Sequence, residues 1–145
     1  MKLLFISRAY PPVVGGIENH NYELARHFPH VAETTLLVNT RGKKFLPFFL
    51  PYALLKTVFT ARRYDAILFG DGVLSVIGFF VKLFSPKVRV ASVVHGLDIT
   101  YGQSSFIYRF FWVNIFLPSL DQLLAVSQET KNIAIQNGLD EKRIT

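Results

Sequence analysis

The chain has 145 residues, half of them apolar. That is long enough for one domain with a buried core and too apolar for disorder. The formal net charge is +6 and cysteine is absent, which excludes a disulfide scaffold and a thiolate metal site and is compatible with a reducing compartment.

The first apolar run, residues 3–6, stops at Ser7 and Arg8 and is too short for a signal peptide. Lys56, Lys82 and Arg109 interrupt the greasiest segments, so none reaches the roughly 18 uncharged residues of a spanning helix. A soluble or surface-associated cytoplasmic protein is expected. No His, Asp and Glu spacing suggests a metal site.

In chain order, five apolar runs alternate with helical patterns. Residues 2–7 predict the first strand. A rigid loop with Pro11, Pro12, Gly15 and Gly16 leads into a helix over 17–28. Strands are expected at 34–39, 66–69, 88–95 and 122–126, and further helices at 48–62, 74–84, 105–116 and 128–137. Turn chemistry marks several joints: Gly70-Asp71-Gly72 between strand and helix, Ser85-Pro86 at a helix end, and Asn137-Gly138 as a stop. Such alternation means βαβ crossovers, hence an α/β, Rossmann-like parallel sheet with helices on both faces. Continuous apolar runs, rather than alternating ones, fit strands buried on both sides. Ile144-Thr145, after a charged turn, reads as the start of another strand, so the chain is expected to be a fragment of a longer protein.

Residues 41–64 hold Arg41, Lys43, Lys44, Lys56, Arg62 and Arg63 with no acid, interleaved with Phe45, Phe48, Phe49, Tyr52 and Phe59. A basic, aromatic-rich helix of this kind can lie on an anionic membrane surface. It can equally be a packed helix with its cations solvated at both ends. No nucleic-acid module is present, and no nucleic-acid partner is expected.

In an open parallel sheet, ligands gather outside the carboxyl ends of the strands. Gly15, Gly16, Glu18 and His20 follow the first strand, Asp71 the third, His95-Gly96-Leu97-Asp98 the fourth and Ser127 the fifth. The paired glycines can offer bare backbone at a helix N-terminus to a phosphate or sugar, or simply make a sharp loop. His95 can donate to a substrate hydroxyl or phosphate or move a proton, and Asp98 can accept from sugar hydroxyls or take a proton. The alternative is a satisfied buried histidine with Asp98 capping the next turn. Glu18 and His20 also fit ordinary first-turn positions, Asp71 a turn former and Ser127 a helix cap. His27 and His30 read as surface residues. There is no Gly-x-Gly-x-x-Gly, Walker loop, Gly-x-Ser-x-Gly elbow or His-Glu-x-x-His.

Taken together, the stretch from Pro11 to Glu18, then Glu23-Leu24-Ala25, His95-Gly96-Leu97-Asp98 and Ala125-Val126-Ser127 resemble the N-terminal domain of family 4 (group 1) glycosyltransferases. The likeness runs along essentially the whole chain. It implies one half of a GT-B fold, with residues 1–145 as the acceptor-side domain and a donor-binding C-terminal domain, bearing a Glu-x7-Glu motif, absent. It also implies retaining transfer of a sugar from a nucleotide-sugar donor to a sugar or lipid-linked hydroxyl acceptor, without a metal or other cofactor. Gly15 and Gly16 then lie against the donor's diphosphate or transferred sugar and His95 lines the cleft as the catalytic residue. Asp98 is placed towards the acceptor or its own loop, and Glu18 and His20 near the acceptor. Asn21 departs from the usual apolar residue. The polypeptide alone is expected not to catalyse transfer. A stand-alone, non-catalytic module that binds a sugar, a nucleotide or a protein is the alternative.

Overall fold

The computed structural model describes residues 1–145, Gly102 by its backbone alone. Five parallel strands form one sheet: β1 (Lys2–Ser7), β2 (Glu33–Val38), β3 (Ala66–Phe69), β4 (Arg89–Val94) and β5 (Gln122–Ala125), in the spatial order β2-β1-β3-β4-β5. The expected strands are all present, with ends moved by one residue at most. β1 ends where Arg8 leaves the sheet, β2 at Asn39 and β4 at His95, while β3 gives way to Gly70.

The register explains the double-sided apolar pattern. Leu4 pairs with Ile67, Ile6 with Phe69 and Ile67 with Val90, and all share one core. Leu3, Phe5, Leu68 and Val93 point the other way into a second, smaller core. The larger core is closed by α2 (Leu46–Thr60) through Phe49 and Ala53, and by α3 (Ser75–Phe84) through Ile77 and Val81. The smaller one is closed by α1 (Gly16–His27) through Leu24 and Ala25. Helices therefore lie on both faces, as the alternation of elements requires.

Two regions differ from expectation. The stretch after β4 is not a loop but a helix, α4 (Gly96–Ser104). Its two glycines and β-branched residues are poor helix formers. It stands because His95 and Asp98 close its first turn, the Asp98 carboxylate accepting from the His95 N–H at 2.9 Å. The expected helix over 105–116 begins as a short α-turn, α5 (Phe106–Tyr108), and continues as a π-helix over Arg109–Phe116. Ser105 caps it, and the wide turns set the Tyr108 and Trp112 rings parallel, 5.0 Å apart. The last α-helix is α6 (Gln128–Gln136); a 3-10 turn over Glu141–Arg143 then leads to Ile144, which bridges Leu123 in parallel fashion beside β5. Among the described residues no helix is long and apolar enough to cross a membrane.

Candidate functional site

Every βα connection leaves the sheet at its carboxyl edge, and a run of polar contacts fastens these connections together in the order of the strands. Asn39, just past β2, donates through Nδ2 to the Arg8 carbonyl at 3.1 Å. Arg8, just past β1, donates through Nε to Asp71 Oδ1 at 2.9 Å in the loop after β3. The Gly72 N–H of that loop donates to Asp98 Oδ2 at 3.0 Å, and the same oxygen receives the His95 N–H after β4. The Tyr108 hydroxyl donates to the Asp98 carbonyl at 2.8 Å, and Trp112 Nε1 to the Val73 carbonyl at 2.9 Å. Gly72 is required here, because a Cβ would sit 2.9 Å from that of Asp98.

The α1 side is locked separately. Asn21 is fully buried and donates through Nδ2 to Ser7 Oγ at 2.8 Å and to the Ala9 carbonyl at 3.2 Å. The departure at Asn21 thus anchors α1 to the end of β1. A Cβ on Gly70 would meet that amide at 2.7 Å, so the glycine permits the contact.

Against this frame, Gly16, Ile17 and His20 from the start of α1 face His95 and Gly96 and the first turns of α6 across a cleft of about 650 Å³. Glu129, Thr130 and Ile133 line its far wall. The His20 and His95 rings meet edge to face with centroids 5.6 Å apart. His95 Nε2 lies 3.3 Å from the Gly70 carbonyl. With the proton on Nε2 the ring donates there and keeps Nδ1 as an acceptor. A side chain on Gly16 would meet nothing within 4 Å, so the bare backbone borders open space.

The other residues singled out from sequence lie around this cleft in different ways. Gly15 caps α1, and a Cβ there would run into the flexible end of Glu18. Glu18 turns to a separate small hollow shared with Arg8, Tyr10 and Lys43. Asp71 is wholly buried, and its Oδ1 also accepts from the Val73 N–H, so it acts as a turn former as well as Arg8's partner. Asp98 is nearly buried beneath the loops. Ser127 caps α6 by accepting from the Thr130 N–H at 3.1 Å and is itself exposed. The structure thus brings Gly16, His20 and His95 together and sets Asp71 and Asp98 behind them.

Burial raises the Asp71 carboxyl above the usual carboxylate range; the adjacent Arg8 cation opposes this and Asp98 adds to it. Burial works against the Arg8 charge, but Asp71 and Asp98 outweigh it. The His20 imidazole is held below its ordinary value by burial and then by His95. Burial and Asp98 raise the Tyr108 phenol. Among the described residues no group of His, Asp and Glu could hold a metal ion. Arg8 and Thr130 were missed from sequence. Position alone marks Arg8, the first residue beyond a carboxyl strand end; nothing local marks Thr130, which tertiary packing brings to the cleft.

A Rossmann-like sheet with a cleft at its carboxyl rim is the architecture of half a GT-B glycosyltransferase. The chain matches the family model Glycosyltransferase Family 4 over residues 14–145 and belongs to that family. Among solved structures it is similar to HepE of Anabaena in complex with UDP (TM-score 0.70, 22% identity) and with UDP-glucose (TM-score 0.68, 23% identity), covering 100% of this chain and 43% of HepE in each. It is also similar to the lipopolysaccharide outer core galactosyltransferase WaaB in its apo form (TM-score 0.59, 14% identity), covering 100% of this chain and 44% of WaaB. At these identities the likeness is one of fold. The chain spans less than half the length of these proteins. Comparison with curated proteins gives no match.

Asp98→Ala removes the acceptor of two backbone N–H groups and is expected to cost about 2–4 kcal/mol in urea unfolding. Wild-type stability in that variant would mean that the two N–H groups find other partners. His20 gives a pH signature. The folded imidazole resists protonation and the unfolded one does not, so its share of stability is whole above the ordinary value of 6.5 and is lost as pH falls through the folded value. In NMR titration His20 should titrate below 6.5, and His95→Ala should move it part of the way back; an unmoved His20 would show that the two rings do not sense each other.

Proposed function

We propose that this chain is the acceptor-side domain of a retaining glycosyltransferase that moves a sugar from a nucleotide-sugar donor to the hydroxyl of a sugar or lipid-linked acceptor. The observation that carries the reading is the convergence of Gly16, His20 and His95 on one rim cleft in a member of this family. The donor class is supported by HepE, whose structures hold UDP and UDP-glucose. The setting that matches is cytoplasmic, at the inner membrane surface.

In this reading Gly15 and Gly16 border the donor's diphosphate or the transferred sugar, where backbone N–H groups at a helix start favour negative charge. His95 touches the reacting sugar. The Gly70 carbonyl orients its ring and Asp98 holds its backbone, so it is placed before substrate arrives. His20 stands towards the acceptor from the cleft and Glu18 from its own hollow beside Arg8 and Lys43, while Asp71 and Asp98 support the loops that carry the others. Ser127 acts through α6, whose first turn forms the opposite wall. The leaving diphosphate is stabilised mainly by groups of a second domain, and the present chain alone does not turn over.

Replacing His95 by Ala in the two-domain enzyme should lower kcat by about 100-fold or more, the scale of a positioned catalytic group. The sheet core is untouched by that change, so circular dichroism should be that of the wild type. Undiminished turnover would take His95 out of the chemistry, and a product of inverted anomeric configuration would refute retention.

A further inference from the structure

The side of the molecule covered by α2 and α3 carries a surface that the transfer site does not use. Phe48, Tyr52, Leu55 and Phe59 follow one another at helical spacing along α2 and are exposed, Phe48 by 70% and Phe59 by 82%. Beside this stripe an apolar groove of about 560 Å³ runs between α2 and α3, lined by Leu54, Leu55, Val58, Phe59, Phe80 and Phe84. At one end Arg62 and Ser85 belong both to the groove and to a second hollow of about 570 Å³ that Lys87 and Arg89 also line. Arg62 Nη2 donates to the Phe84 carbonyl at 3.2 Å, which holds its charge at the junction.

Charge is arranged around this apolar strip rather than on it. Because α2 returns antiparallel to the strands, Arg41, Lys43 and Lys44 lie by the carboxyl edge of the sheet and Arg62 and Arg63 by the opposite edge. Lys56, between them, donates to the Tyr52 hydroxyl at 3.0 Å and lies over that ring. No carboxylate occurs in residues 41–64. Two acids stand nearby: Asp65, which accepts the Lys2 N–H at 2.7 Å, and Asp121, which is paired with Lys82 at 2.9 Å. Exposed aromatics with cations at both ends suit the headgroup and acyl boundary of an anionic leaflet. A second copy of the chain would instead bring two +6 molecules together through their most basic surface.

We propose that this face binds anionic phospholipid: the α2 stripe lies flat in the interface, an acyl chain enters the α2–α3 groove, and lipid phosphates pair with Arg62, Lys87 and Arg89. The contact itself does not depend on sugar transfer. Its consequence for an acceptor rests on that reading, since a leaflet along α2 passes the rim at Arg41 and Lys43, and Lys43 lines the hollow that holds Glu18.

Flotation of the protein with vesicles tests this. Phosphatidylglycerol-containing vesicles should bind about tenfold or more protein than pure phosphatidylcholine, and high salt should reduce the difference. Phe59→Ser with Phe84→Ser, and separately Arg62→Gln with Lys87→Gln, should each lower partitioning by about tenfold with an unchanged circular dichroism spectrum. Arg26→Gln, on α1 and the other face of the sheet, should leave it as it was. Equal recovery with neutral and anionic vesicles would overturn the proposal, as would undiminished binding by both double variants. So would a dimer in sedimentation that Phe59→Ser dissolves in a protein that binds no vesicles. A two-domain enzyme that binds anionic vesicles yet transfers no sugar would count against the transfer reading alone.

Discussion

One carboxylate oxygen, Asp98 Oδ2, receives the backbone N–H groups of Gly72 and His95, which belong to the connections after β3 and β4. The arrangement of the rim depends on this contact. Loops at the end of a parallel sheet have no ladder to hold them, and their free N–H groups need partners wherever they are buried. Asp98 supplies two such partners from inside a helix that follows His95 in the chain. The Arg8–Asp71 pair extends the fastening to β1, and Asn39 extends it to β2. His95 is therefore held by the whole sheet edge rather than by its own loop. A ring placed by a rigid frame is what the proposed sugar-transfer site requires.

The fold was legible because it is written in periodicity. Runs such as residues 3–6 and 66–69 are apolar at every position, the pattern that fits a short strand covered on both faces. The cleft was partly legible, since the loops that follow strands in a parallel sheet must share one edge; Gly16, His20 and His95 meet as that topology demands. What stayed hidden depends on side-chain direction. Glu18, two residues before His20, turns to a different hollow. Asp71 and Asp98 sit beneath the rim, because each satisfies backbone N–H groups of its own neighbourhood. Helix α4 escaped notice because its propensity is poor and its first turn is closed by an Asp paired with a histidine in place of the usual Ser or Thr. The π-helical turns after Tyr108 have no sequence period that distinguishes them from α-helix.

The two faces of the sheet divide the work. The α1 face is tied to the rim through Asn21, whose amide reaches Ser7 and Ala9 and so fastens α1 to the end of β1. The α2 and α3 face holds the larger core and leaves its aromatics outside. Phe49 and Ala53 point inward while Phe48, Tyr52 and Phe59 point out, so α2 is apolar nearly all round. Such a helix on the surface of a domain calls for a covering, and the cations at its two ends favour an anionic one.

The central claim is that the glycine bend before α1 and the imidazole of His95 address the same ligand. The most direct measurement is a crystal structure of the two-domain enzyme with UDP-glucose as the donor probe. The account predicts the glucosyl ring in the rim cleft, within about 3.2 Å of a His95 nitrogen, with the backbone at Gly16 against the ligand. A donor seated elsewhere, with His95 and Gly16 touching nothing of it, would contradict the account.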